Sequence, residues 1–163
     1  MQWNNKFIYP KSTRSIFQGS RHYAVNQENL PSVTTILKAT ESEEKKAKLA
    51  EWKNRVGHKQ AEIISREATS RGSSMHDYLE KFLLGKLNMD LLGDNTREKM
   101  MADQIIENGL RDKLSEIWGC EATLYYPGKY AGAADCIGIY ENKETIIDFK
   151  QSNKPKKDEW IDD

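Results

Sequence analysis

A chain of 163 residues is long enough to bury a sizeable core and short enough to read as one domain. Its 25 lysines and arginines balance 25 aspartates and glutamates, so net charge draws the molecule to neither nucleic acid nor an anionic membrane, and no apolar run reaches the ~20 residues of a spanning helix. Two cysteines, Cys120 and Cys136, in no CxxC or metal-ligand spacing, argue against a disulfide scaffold and for a reducing, cytoplasmic compartment.

In chain order, residues 1–30 read as extended or short-strand structure with scattered aromatics. LPSVTTIL (30–37) is a tight apolar segment entered through Pro31. Thr40 and Glu43 have the spacing of a capping box and start a first helix, with Leu49, Trp52 and Val56 at helical spacing and Ile63 and Ile64 on roughly the same side. Gly57 is expected to bend it and SRGSS (70–74) to end it. A second helix carries MHDYLEKFLL (75–84), capped by Ser73 or Ser74 and stopped by Gly85, with Leu79, Phe82 and Leu83 on its apolar side. After a linker at 86–94, a third helix is predicted over 96–118, capped by Asn95 and Glu98 and striped by Met101, Ile105, Leu114 and Ile117. The period then becomes alternating, which predicts strands at 120–126, 133–140 and 145–150. Helices followed by an antiparallel meander make an α+β fold.

Neutrality overall hides local charge. Residues 1–27 contain Lys6, Lys11, Arg14 and Arg21 and no acid, and residues 150–157 contain Lys150, Lys154, Lys156 and Lys157 and no acid. Each stretch is either a solvated face or part of a positive patch. The N-terminus is acid-poor but lacks a signal-peptide core, and its aromatics and asparagines do not suit an amphipathic leader.

The meander carries the chemistry. Asp148 and Lys150 lie two apart, so in a strand they share a face, about 7 Å from each other, while Phe149 points to the core. A hairpin loop of two or four residues brings Asp135 to that same face, and the reading pairs it with Lys150; a three-residue loop sends it to the other face unless a bulge intervenes. Two carboxylates side by side need a cation to stay ionised, and hard oxygen donors suit Mg²⁺ or Mn²⁺. A neighbouring ammonium can steer a water or stabilise charge on a phosphate. The plain alternative is a surface hairpin whose aspartate and lysine form a salt bridge.

GAADCIGIYENKETIIDFK resembles the PD-(D/E)XK nuclease superfamily, whose pattern is an acid on one strand and acid–x–Lys on the next. RGSSMH (71–76) is similar to the Gly-x-x-x-His helix start of its RecB-like branch. PSVTTIL, the helix around Trp52, RGSSMH, GAADCIG and DFKQSNKPK stand in the order seen in the mitochondrial genome-maintenance exonucleases and their phage relatives, over roughly residues 30–157.

The resemblance implies a restriction-endonuclease-like core in a single nuclease domain over 1–163: an N-terminal region at 1–38, a helical region at 40–118, a catalytic meander at 119–152 and an incomplete C-terminal region from 153. It implies that Asp135, Asp148 and the Phe149 main-chain carbonyl hold Mg²⁺ or Mn²⁺, with His76 as a further ligand and Glu121 supporting the metal directly or through a neighbour. Lys150 is then the catalytic lysine. Ser152, Lys154, Lys156 and Arg71 meet DNA, although Gln151 replaces a family threonine there. His76 is otherwise a satisfied half-buried histidine, and Glu80, one turn on, either orients it or is an ordinary exposed glutamate. Two cysteines cannot build the four-cysteine iron–sulfur cluster of some relatives. The chain stops where the family continues with a further helix, so a partner chain or a missing segment is expected to complete it. The expected activity is metal-dependent hydrolysis of DNA, foremost as a single-strand exonuclease. The alternatives are an endonuclease or nickase, and a truncated DNA-binding module. The expected location is the cytoplasm of a bacterial or phage-infected cell, with a mitochondrion as the less favoured place.

Overall fold

The computed structural model describes residues 1–86 and 96–152. A two-residue strand β1 (Gln2–Trp3) precedes an antiparallel sheet of β2 (Ser12–Phe17), β3 (Ser20–Val25) and β4 (Glu28–Pro31). Helices α1 (Val33–Ala39), α2 (Glu43–Val56), α3 (His58–Leu83) and α4 (Arg97–Ile105) follow, and α4 runs into a π-helical turn at Ile106–Leu110. The meander β5 (Leu114–Tyr126), β6 (Tyr130–Tyr140) and β7 (Lys143–Ile147) forms the second sheet, with β1 parallel to β5 and the order β1-β5-β6-β7. The fold is α+β, and no helix of the described residues is long and apolar enough to cross a membrane.

Turn chemistry sets the registers. Gln18 and Gly19 (φ 49° and 75°), Asn26 and Gln27 (47° and 68°), and Glu141 and Asn142 (46° and 64°) each close a hairpin with two left-handed residues. That is the type I′ arrangement, whose twist matches that of the strands it joins. The first two turns make a regular three-stranded sheet of the N-terminal residues that looked irregular. The third places Tyr140 opposite Lys143.

The apolar segment 30–37 divides: β4 ends at Pro31 and Ser32 caps α1, its Oγ accepting from the Thr35 N–H at 3.0 Å. The cap of α2 is Ser42, not Thr40; Ser42 Oγ accepts from the Lys45 N–H at 3.3 Å, while the Thr40 N–H closes α1 on the Ile36 carbonyl. Two hydroxyls stand two residues apart there, and spacing to an acid selected the wrong one. Gly57, at φ 86°, separates α2 from α3 instead of bending one helix. No residue of α2 is buried, so its apolar stripe is not a core stripe.

Helix α3 runs for 26 residues straight through SRGSS. A glycine in a helix costs about 1 kcal/mol and serines less. Burial of Met75, Leu79 and Leu83 outweighs that local preference. The helix ends in a Schellman motif around Gly85 (φ 66°), with the Gly85 N–H on the Phe82 carbonyl and the Lys86 N–H on the Lys81 carbonyl.

The third predicted helix is half strand. Helical structure ends at Leu110, and Leu114 to Trp118 belong to β5. Its cap is Thr96, whose Oγ1 accepts from the Lys99 N–H at 3.3 Å; Asn95 and residues 87–94 of the linker lie outside the described residues. The misreading has a physical cause. Register shifts fall between Leu114 and Glu116 and again between Ile117 and Gly119. Each bulge adds a residue, so Leu114, Ile117 and Cys120, three apart, all meet one core. A twice-bulged strand thus imitates a helical stripe. Gly138 lies opposite Ile117 beside the second bulge, and a Cβ there would collide with the Glu116 carbonyl oxygen.

The larger core joins Met75, Leu79 and Leu83 of α3 and Ala102, Ile106 and Leu110 to Leu114, Ile117, Cys136 and Phe149. A smaller cluster packs Tyr23, Val25 and Leu30 on Ala131 of β6. The N-terminal sheet is thereby held against the meander, and a cleft opens between it and α3.

Candidate functional site

Burial of Met75 fixes the rotation of α3 and turns the next residue, His76, toward the end of β7. His76 Nε2 lies 2.7 Å from the Phe149 carbonyl oxygen, which can only accept, so Nε2 carries a proton. Nδ1 lies 3.5 Å from Asp135 Oδ1. The other oxygen of Asp135 accepts from the Phe149 N–H at 2.7 Å. His76, Asp135 and the Phe149 peptide thus tie together α3, β6 and the segment that follows β7.

Glu121 completes the group. Cys120 pairs with Cys136 and Ala122 with Ala134, so Glu121 sits opposite Asp135. Its φ of 48° is a left-handed conformation that a glutamate adopts at a cost. Such strain persists only where the surrounding pairing holds it, and it clusters at functional sites. One ligand atom each from His76, Glu121 and Asp135 lies within 4.8 Å of the others. An imidazole, two carboxylates and the adjacent Phe149 carbonyl are a donor set that fits a divalent cation.

The electrostatics agree with the contacts. The hydrogen bond to Asp135 holds the His76 imidazolium above its ordinary range, against the opposing pull of burial. Burial pushes the Asp135 carboxyl up, but the bonds from His76 and the Phe149 N–H outweigh it and leave the group below the usual carboxylate range. Burial lifts both thiols, Cys120 and Cys136, to about 12, which makes them inert packing groups.

His76, Glu121 and Asp135 line a cleft of about 910 Å³, together with Asp148 and Lys150. The expected geometry of that pair needs correction. Strand β7 ends at Ile147, so the Asp148–Phe149–Lys150 triplet lies just beyond it. The two-residue turn, with Cys136 paired to Ile147, sets Asp135 in line with Asp148 instead of Lys150. The parity is unchanged, so both aspartates and the lysine face one cleft, and Phe149 is buried in the core. Asp148 and Lys150 are bonded to each other at 2.9 Å with their side chains 58% and 57% exposed, and Asp148 stands outside the His76–Glu121–Asp135 group.

Other predicted residues scatter. Arg71 is mostly buried beside α3's own Glu67, 4.0 Å away, and the cleft lining passes instead through Gly72 and Ser73. Glu80 lines the cleft, but among the described residues no hydrogen bond joins it to His76. Ser152 borders a second cavity of about 590 Å³ with Asp148, Lys150, Gln104 and Asn108. Gln151 lies against α3 at Gly72. Lys154 and Lys156 lie outside the described residues.

The opposite wall comes from the basic stretch at 1–27, of which the sequence singled out no residue for the site. Arg14 and Arg21, from β2 and β3, line the cleft, and Arg14 Nη2 donates to Glu121 Oε2 at 2.7 Å. The acid-free run at 1–27, joined to two alternating segments around Gln18-Gly19, was the available signal. Also missed was an aromatic pair at the β5–β6 tip. Tyr126 and Tyr130 have ring centres 5.9 Å apart, and Lys129 Nζ lies 4.9 Å from the Tyr126 ring centre. They border a groove of about 410 Å³ that reaches Asp135 and Asp148.

No family model matches the chain. It is similar to "Mitochondrial genome maintenance exonuclease 1" of Mus musculus, 31% identical over 137 residues, which cover 81% of this chain and 40% of that protein. The protein of the same name from Xenopus tropicalis is 30% identical over 135 residues, 78% of this chain and 37% of its own length. That from Homo sapiens is 28% identical over 132 residues, 78% and 38%. The chain therefore spans about two-fifths of the length of the curated relatives it matches. Their printed name is mitochondrial, which fits poorly with the expected bacterial or phage-infected cytoplasm.

Proposed function

We propose that the chain is a Mg²⁺- or Mn²⁺-dependent deoxyribonuclease of the RecB-like PD-(D/E)XK type, acting as an exonuclease on single-stranded DNA. The observation that carries it is the convergence of His76, Glu121 and Asp135 within 4.8 Å, in a cleft that also holds Asp148 and Lys150. Similarity to proteins named as exonucleases supports the same reading.

When bound, the ion would act as a Lewis acid toward the phosphodiester and generate a nucleophile from water. The chain's own residues have separate tasks. The Phe149 N–H fixes one oxygen of Asp135 and leaves the other turned to His76. Lys150, once it exchanges Asp148 for substrate, places an ammonium beside the phosphate as negative charge grows there. Asp148 is exposed enough to turn toward either the lysine or the donor group. Arg14 and Arg21 supply a positive wall for the sugar–phosphate chain. Tyr126 and Tyr130 offer π-faces to unpaired bases, which a duplex keeps stacked; this supports a single-strand substrate.

The test is loss of end-labelled single-stranded oligonucleotide in Mg²⁺ or Mn²⁺. Lys150→Ala is expected to cut about 10²- to 10³-fold more slowly; equal rates sink the assignment. Circular single-stranded DNA survives an obligate exonuclease and is opened by an endonuclease or nickase on the same site. A second reading, DNA binding without cleavage, is favoured by the Asp148–Lys150 pair being bonded to itself at the cleft mouth. Tight binding with no cutting in either metal would establish it.

A further inference from the structure

The Glu121 carboxylate is subject to two cationic claims. It offers a ligand atom to the group formed with His76 and Asp135. Its Oε2 also accepts from Arg14 Nη2 at 2.7 Å. Glu121 is held in place, since its left-handed backbone lies between regularly paired neighbours in β5. Arg14 has more freedom. Its side chain is 54% exposed at the cleft wall, with the guanidinium carbon 5.7 Å from the Tyr23 ring centre.

We propose that Arg14 and a divalent ion compete for Glu121, so that ion entry hands the Arg14 guanidinium to the phosphodiester of the incoming strand. The idea rests on the metal-dependent nuclease reading above and adds a coupling that it does not require. Two positive charges across one carboxylate repel each other. The ion is fixed by His76 and Asp135 as well, so Arg14 is the partner that yields. A guanidinium fork fits a phosphate as well as a carboxylate, and the displaced arginine exchanges one anion for another within the same cleft. While it is bonded to Glu121, Arg14 is withheld from substrate. With an ion, the cleft gains both a Lewis acid and a phosphate ligand. Coupling of this kind is reciprocal: ion strengthens DNA binding and DNA strengthens ion binding by the same factor.

The experiment measures Mn²⁺ affinity by calorimetry and binding of a labelled single-stranded oligonucleotide by anisotropy. The full chain carries Lys150→Ala so that nothing is cut. Adding Arg14→Gln is expected to tighten Mn²⁺ binding about fivefold in the absence of DNA. It should also weaken DNA binding in Mn²⁺ and shrink the gain in DNA affinity that Mn²⁺ gives the parent, leaving only the ion's own share. Arg14→Lys, which keeps charge but not the fork, should fall between. Arg21→Gln removes the same charge from the same wall, and among the described residues Arg21 makes no bond to Glu121, so its effect on Mn²⁺ affinity should be the smaller one. Unchanged Mn²⁺ affinity in Arg14→Gln overturns the competition. Weaker Mn²⁺ binding overturns it too, and shows Glu121 bridging ion and arginine at once. If His76→Ala abolishes Mn²⁺ binding while Arg14→Gln alters nothing, only this inference falls. If the parent binds no Mn²⁺, the nuclease reading falls and takes the inference with it.

Discussion

Helix α3 and the four-stranded sheet bring His76, Glu121 and Asp135 to the cleft from elements rooted in the larger core, where Met75, Leu79 and Cys136 are fully buried. The N-terminal sheet brings Arg14 and Arg21 from a platform held by Tyr23, Val25 and Leu30 against Ala131. The contrast matches what each wall must do. Metal-type donors need fixed mutual geometry, which packed secondary elements provide. Groups that steer a polymer need reach and charge, and a thin sheet with exposed arginines suffices. The difference also implies two stabilities in one chain, and that can be broken experimentally.

The largest effect is expected at Leu79, wholly buried between α3 and the sheet. Leu79→Ala should cost about 3–5 kcal/mol of unfolding free energy in urea titration. A loss below about 1 kcal/mol would mean that the larger core does not anchor the donor wall. Leu30→Ala, in the smaller cluster, should cost about 2–3 kcal/mol. Its signature is regional: amide hydrogen exchange should quicken in β2, β3 and β4 and stay slow in α3. Equal acceleration in both would show the walls to be one cooperative unit. Ser32→Ala removes the cap of α1 next to Arg21 and should cost about 1 kcal/mol, read as a small drop in melting temperature.

The same division governs what could be read from the residues alone. Phe149 in the core, with Asp135, Asp148 and Lys150 facing one cleft, followed from strand parity, which survives an error of two in register. The bounds of β5 did not follow, because two bulges give Leu114, Ile117 and Cys120 a helical spacing. Nor did the continuity of α3, since Gly72 and its serines read as a break until the burial of Met75 and Leu79 is known. Arg14 was invisible as a partner of Glu121 because 107 residues separate them and no local pattern encodes the contact. Local chemistry is legible over a hairpin. Contacts between the two sheets depend on how the whole chain packs.

The subtlest expected effect is a slope in stability with pH whose sign depends on metal. His76 titrates higher in the folded chain, because its hydrogen bond to Asp135 favours the charged ring and Glu121 adds to it. A raised folded pKa gives stability that is complete below the unfolded value, about 6.5, and is lost as pH rises through the folded value. Asp135 titrates lower, since bonds from His76 and the Phe149 N–H overcome the opposing effect of burial. Its contribution is present above about 3.9 and is lost as pH falls through the folded value. The metal-free pair is therefore worth most between about pH 4 and 6.5, and melting temperature should decline from pH 6 to pH 8. A bound divalent ion requires the neutral imidazole, so its affinity climbs over that same interval. With Mn²⁺ in excess, melting temperature should rise from pH 6 to pH 8 instead. His76→Asn, which cannot titrate, should flatten the metal-free slope and shrink the difference made by Mn²⁺. Parallel slopes with and without the ion would place the cation away from His76 and leave the donor wall a structural hydrogen-bond network.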